Sequence, residues 1–154
     1  MKVVVQRITR ASVTADGIPS GTVGAGLLLL VGVARGDDET DAELLADKIS
    51  RLRIFSDENG KMGKSVVDIG GEVLIISNFT LNGDYSHGNR PDFLAAEKPP
   101  RATMLWERFV SRMRERVGRV ETGVFGADMQ IDCLLDGPVT LQMDSELLRK
   151  GKQP

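Results

Sequence analysis

The 154-residue chain has a single cysteine and a single histidine, and those two scarcities exclude several chemistries. Cys133 has no partner for an intrachain disulfide, and with His87 it cannot complete a structural zinc site. A Ser-His-Asp triad would depend on His87, which lies in a Gly- and Asp-rich stretch, and the chain has no Gly-x-Ser-x-Gly elbow. Charge of one sign is also lacking: the formal net charge is −2, so a nucleic acid could be held only by a local basic patch. No long hydrophobic run exists. The longest, Gly24 to Ala34, is far short of the roughly 20 residues that span a bilayer. Met1-Lys2 leads straight into a valine run without a signal-peptide pattern, so a cytoplasmic protein with no membrane association is expected. Phosphate loops are missing too. Gly24 and Gly26 precede a strand instead of opening a helix, and Gly63-Lys64-Ser65 has Glu58 where the motif needs glycine. No metal and no cofactor is expected.

What is present is an alternation of short apolar runs with two helical patterns. Lys2–Thr9 and Ala11–Ala15 read as two short strands, turned back at Asp16-Gly17 into Ser20–Val23. Leu27–Val33 has the composition of a central strand. Asp37 and Asp38 cap a helix from about 39 to 52, and Arg53–Ser56 forms a short strand. Pro99-Pro100 introduces a second helix with Leu105, Trp106, Phe109, Val110 and Met113 on its buried stripe, ended by Gly118. Six arginines between Arg101 and Arg119 make it the one basic surface. Glu121–Val124, Asp128–Leu135 and a last strand through Met143 follow, the Asp136-Gly137 pair reading as a hairpin signal. Ser145–Pro154 reads as a frayed charged tail. The expected class is α+β, a curved, mainly antiparallel sheet or β-barrel of about eight strands with two principal helices. The expected single domain is 1–145, with a tail at 146–154.

The strongest candidate for a site is the stretch Val73–Leu81. It begins as a β-branched run buried on both faces and then delivers Ser77, Asn78 and Thr80. Small polar side chains at the end of a buried strand are rigidly held and costly to leave unpaired. The second oddity is Gly137-Pro138 just ahead of a strand, since proline cannot donate to a ladder. Neither stretch supplies a strong general base. An enzyme built on them must use backbone amides, positioning and a group carried by the substrate.

The residues also resemble a known family. Gln6-Arg7-Ile8-Thr9-Arg10-Ala11-Ser12-Val13, Arg53-Ile54-Phe55-Ser56, Gly88-Asn89-Arg90-Pro91 and Ala127-Asp128-Met129-Gln130 occur in the order found in bacterial D-aminoacyl-tRNA deacylases. That family's two motifs, Ser-Gln-Phe-Thr-Leu and Asn-x-Gly-Pro-Val-Thr, correspond to Ser77-Asn78-Phe79-Thr80-Leu81 and Leu135-Asp136-Gly137-Pro138-Val139-Thr140. Asn78 stands for the usual Gln and Leu135 for the usual Asn. The shorter Asn78 amide is expected to reach its partner through water or not at all.

The resemblance implies a D-tyrosyl-tRNA deacylase-like fold and a homodimer with active sites at the subunit interface. It implies hydrolysis of the ester between a D-amino acid and the acceptor end of tRNA. By similarity, Gly137-Pro138 is cis, enters the partner's site and rejects L side chains, with Arg7 orienting its carbonyls. Thr80, Phe79, Ser77 and Asn78 form the catalytic stretch, and Phe79, Phe125 and Met129 hold the terminal adenosine. A filter of this kind admits glycyl-tRNA, which has no side chain to reject. Two chemistries remain: Thr80 as nucleophile, or water attack assisted by the ribose hydroxyl with amides near Phe79-Thr80 holding the oxyanion. The competing function classes are a non-catalytic RNA-binding module and an esterase using Thr80 as nucleophile.

Overall fold

The computed structural model describes residues 1–151. Among them are eight strands: β1 (Lys2–Ala15), β2 (Ile18–Val23), β3 (Gly26–Gly32), β4 (Phe55–Ser56), β5 (Met62–Lys64), β6 (Glu72–Ser77), β7 (Arg119–Thr122) and β8 (Met129–Asp144). There are three α-helices, α1 (Glu39–Ser50), α2 (Arg101–Arg116) and α3 (Ser145–Lys150). None is long and apolar enough to cross a membrane.

The main sheet runs β2-β1-β3-β6-β7, and β8 pairs with the other edge of β1. It curls into a nearly closed barrel, with Ser20 Oγ of β2 donating to the Thr122 carbonyl of β7 at 3.0 Å. Side-chain alternation sends successive residues to opposite faces. Leu27, Leu29, Val31, Val73 and Ile75 pack beneath Leu45 and Ile49 of α1 and Phe109 and Met113 of α2. Leu28, Leu74 and Ile76 fill the barrel interior with Ile8 and Val13. Both faces of β6 are therefore buried, as its unbroken apolar run predicts. Burying each such side chain fully is worth about 1.5–3 kcal/mol.

The sheet is mainly antiparallel as expected, with β6 the exception, and three other expectations change. The sheet is mixed: β6 is parallel to both β3 and β7, because each connection passes through a helix, as parallel neighbours require. The first two predicted strands are one, β1, which pairs with β3 through its first half and β2 through its second. The last two are also one, β8, and no hairpin forms at Asp136-Gly137. Opposite Arg7 the β8 strand instead bulges out four residues, Asp136–Val139, between the Gln6–Thr140 and Ile8–Leu135 pairs. Finally, Ser145–Lys150 is helical, capped by Asp144. Arg149 clamps it to α1 by donating to both carboxylate oxygens of Asp41, at 2.7 and 2.9 Å. Of the predicted tail, residues 152–154 lie outside the described residues.

The basic helix is also less basic than it reads. Of the six arginines from Arg101 to Arg119, the last of which lies in β7, five have acidic partners among the described residues: Arg101 with Glu97, Arg108 with Glu43, Arg112 and Arg116 with Asp47, and Arg119 with Glu72 and Glu121. Asp47 is the hub. Hydrogen bonds from Arg112 first, and then Arg116, hold its carboxyl below the usual carboxylate range. A depressed acid stabilises the fold above its unfolded pKa of about 3.9, and that stability is lost as pH falls through the lower folded value. Asp47→Asn is expected to cost about 1 kcal/mol at neutral pH, or roughly 2–4 °C of Tm. The difference from the parent should vanish in acid melts, once Asp47 is protonated. A difference that persists unchanged in acid would show that charge is not its source.

Candidate functional site

The end of β6 is tied to the sheet by the Asn78 N–H, which donates to the Val31 carbonyl at 2.7 Å. There the strand stops and Phe79–Asn82 winds into one turn of 3-10 helix. Asn82, 4% exposed, anchors the turn from below by donating from Nδ2 to the Val33 carbonyl at 3.0 Å. The Phe79 ring projects outward, 57% exposed, with its partner Phe93 edge-on at 5.2 Å between centroids. The amides of Phe79 and Thr80 open the turn, where a helix leaves its N–H groups without an intrahelical carbonyl. No backbone acceptor takes them among the described residues.

Thr80 Oγ1 donates to Asn78 Oδ1 in a short hydrogen bond. The shorter Asn78 amide thus finds a local, exposed partner in Thr80. This bond has a chemical consequence. An amide oxygen accepts a hydrogen bond but does not take a proton at neutral pH, so it orients the hydroxyl without activating it. His87 does not border this region.

Two concavities flank Phe79. The first has a volume of about 180 Å³ and is walled by Val31, Val33, Phe79, Phe125 and Met129, with Ser77, Asn78 and Glu97 as its polar contributors. Trp106 of α2 supports Phe125 from behind at 5.7 Å between ring centroids. Segments just beyond the carboxyl ends of β3, β6 and β7 line this pocket, the usual place for ligands at parallel strands. The second is an open groove of about 800 Å³ on the Thr80 side, bordered by Val4, Thr80, Leu81, Tyr85, Phe93 and Gln142.

The structure therefore brings Ser77, Asn78, Phe79, Phe125 and Met129 to one pocket, and Thr80 to the groove beside it. Gly137, Pro138 and Arg7 form a separate group that borders neither. The Gly137-Pro138 bond is cis, as the resemblance implies. Arg7 is not an exposed strand charge: its side chain is 12% exposed. Its Nη1 donates to the Ile54 carbonyl at 2.7 Å, and its Nε contacts the Asp136 carbonyl at 3.3 Å and carboxylate at 3.1 Å. Within the bulge its contacts go to Asp136, the residue before the Gly-Pro pair. Sequence reasoning missed Glu97, Phe93 and Asn82. The first two come from an irregular loop without periodicity, and Asn82 follows the motif.

A family model described as D-Tyr-tRNA(Tyr) deacylase matches residues 4–144. The chain belongs to this deacylase family. It is accordingly an enzyme, a hydrolase. It is 53% identical over 148 residues to a D-aminoacyl-tRNA deacylase of Anaeromyxobacter dehalogenans, covering 96% of this chain and 99% of the relative. It is 50% identical to a D-aminoacyl-tRNA deacylase of Thermus aquaticus, covering 94% and 95% of the two chains. A solved structure titled c-Myc DNA Unwinding Element Binding Protein superposes with a TM-score of 0.87 at 40% identity, over 94% of this chain and 98% of that one. A second, of a probable eukaryotic D-amino acid tRNA deacylase, superposes at 0.81 over 92% and 97%, and with 14% identity it speaks for the fold alone.

Proposed function

We propose that this deacylase hydrolyses the ester joining a D-amino acid to the terminal ribose of tRNA, releasing free amino acid and tRNA in the cytoplasm. The terminal adenosine lies in the pocket between Phe79, Phe125 and Met129. The ester lies over the Phe79-Thr80 amides, which stabilise the oxyanion. The neighbouring ribose hydroxyl assists water attack. The observation that carries this reading is the Thr80–Asn78 hydrogen bond: the hydroxyl is oriented by a group that cannot deprotonate it, which disfavours Thr80 as nucleophile.

The site is completed by a second subunit. Outside its pairing with β1, the sixteen-residue β8 strand has an edge unpaired among the described residues and exposes Leu134, Leu135 and Leu141. An edge of that length is normally covered. A two-fold partner seated near it would present its own Gly137-Pro138 to the Thr80 groove. The rigid backbone there would exclude L side chains, leave room for D ones, and admit glycine.

The first experiment is an assay on D-tyrosyl-tRNA, L-tyrosyl-tRNA, glycyl-tRNA and a free D-tyrosine ester. Loss of the first and some of the third, with the other two spared, is the expected pattern. Hydrolysis of L-tyrosyl-tRNA or of the free ester at a comparable rate would overturn the chiral filter or the tRNA requirement. Thr80→Ala addresses the chemistry: a loss in kcat below about a thousandfold is expected, the scale of one removed polar contact rather than of a nucleophile. A terminal 2′-deoxyribose should cost more than the mutation does. The reverse ranking would favour Thr80 as nucleophile.

A further inference from the structure

Glu97 is the one ionisable residue lining the pocket beside Phe79, whose other polar contributors are Ser77 and Asn78. A carboxylate is out of place in a cavity meant for the end of a polyanion. It adds repulsion toward phosphate and is costly to desolvate unless something donates to it. Glu97 is also held firmly. Its backbone N–H donates to the Val33 carbonyl at 3.0 Å, and the adjoining Ala34–Ala96 bridge ties the loop to the end of β3.

Its carboxylate is only partly used. One oxygen accepts from the Lys98 amide at 2.9 Å, and the other lies 3.7 Å from Arg101 Nε, too long for a strong hydrogen bond. A carboxylate offers about four acceptor positions and no donor. With its side chain 20% exposed, spare acceptor capacity remains at the pocket wall.

We propose that Glu97 is a specificity residue that accepts a hydrogen bond from the exocyclic amine of the terminal base. This rests on the adenosine reading of the pocket and adds to it a group that distinguishes one purine from another. An aminopurine presents N–H donors to the carboxylate. A base with a carbonyl at the same position presents lone pairs and is repelled, and a base with hydrogen there leaves the carboxylate unpaired. Arg101, 3.7 Å from the carboxylate, offsets part of its repulsion toward the tRNA backbone. Glu97 lines the Phe79 pocket and not the Thr80 groove, so its effect is expected on KM more than on kcat.

The test uses D-tyrosyl-tRNA ending in adenosine, in purine riboside, which lacks the amine, or in inosine. For the parent enzyme KM should rise about tenfold or more with purine riboside and further with inosine. Glu97→Ala should treat adenosine and purine riboside alike, while Glu97→Gln, which retains an acceptor oxygen, should recover part of the preference. A parent that ignores the amine, or a preference that survives in Glu97→Ala, overturns the inference. Phe79→Ala separates this from failure of the pocket assignment. If it raises KM for both ends while Glu97 has no effect, the nucleoside is in the pocket and only the role of Glu97 falls. If Phe79→Ala leaves KM unchanged, the pocket assignment falls and the role of Glu97 falls with it.

Discussion

Gly137→Ala is expected to lower kcat/KM on D-tyrosyl-tRNA by more than about a hundredfold while lowering Tm by only a few degrees. The backbone at Gly137 has a φ of +124°, a conformation that side-chain-bearing L residues rarely adopt. A Cβ there would lie 2.9 Å from the Val139 amide nitrogen and 3.2 Å from Arg7 Nη2. The backbone must therefore shift, and the Arg7–Asp136 contact with it. Asp136, Gly137 and Pro138 are exposed, and Val139 alone of the bulge packs against the core, so most of the cost falls on the shape of the bulge and little on the fold. If Gly137 serves the partner's site, a mixed dimer adds a decisive arm. Joining a Gly137→Ala subunit to a Phe79→Ala subunit pairs the two intact elements at one site and the two defective ones at the other. Such mixtures should regain activity that neither homodimer has. No recovery from verified mixed dimers would place both elements in one site of one chain.

Spacing favours the mixed-dimer outcome. Met129 and Gly137 lie eight residues apart along β8, about 26 Å in an extended strand, far longer than one aminoacyl nucleoside. Their β1 partners give the same separation, since Met129 pairs with Ala15 while the bulge lies opposite Arg7.

The largest effect on stability is expected at Gly26, the first residue of β3. Its φ is +156°, and an added Cβ would lie 1.8 Å from the Glu72 carbonyl oxygen and 2.6 Å from the Glu72 nitrogen. Both atoms belong to the first residue of β6, and Gly26 pairs with it in the parallel ladder. Relief would require opening the β3–β6 junction, which closes both cores. Gly26→Ala should therefore cost more than about 4 kcal/mol and in practice give little folded protein. Gly24→Ala, two residues earlier, is the control. Its Cβ would meet only the Glu72 carboxylate at 3.7 Å, so a change within about 0.5 kcal/mol is expected. Equal behaviour of the two variants in thermal melts would contradict the close approach.

Whether a feature could be read from the sequence depended on whether its cause was local. The burial of β6 on both faces follows from the unbroken run Val73–Ile76, and α2 from its apolar stripe. The direction of β6 was also available, since a helix lies between β3 and β6 and another between β6 and β7; strand composition points to antiparallel pairing and conceals it. At Asp136-Gly137-Pro138 local chemistry misleads. Those residues favour a turn, but β1 pairs with the chain on both sides, and the turn residues are accommodated as a bulge. The helix Ser145–Lys150 is too short to show a periodicity and depends on Arg149 reaching Asp41, a contact far away in sequence. The same applies to the pocket. Ser77–Thr80 is visible as a motif, whereas Phe93 and Glu97 reach it through the path of a loop that has no repeat.

The parallel neighbours of β6 also bear on how the site opens. The strand beneath Ser77 is hydrogen-bonded on both edges and covered on both faces, so the amides of Val73–Ile76 can exchange with solvent only when the whole domain unfolds. The loop from Asp84 to Asp92, which borders the groove through Tyr85 and Pro91, is closed by its own Asp84–Asp92 pair and makes no backbone hydrogen bond to the sheet among the described residues, unlike the Ala95–Glu97 stretch behind it. This loop can detach without disturbing the sheet. The floor of the site and the loop beside its groove therefore differ in opening free energy. Admission of a tRNA end is governed by the less protected side, and the rigid side preserves the geometry of the ester-binding turn while the substrate enters.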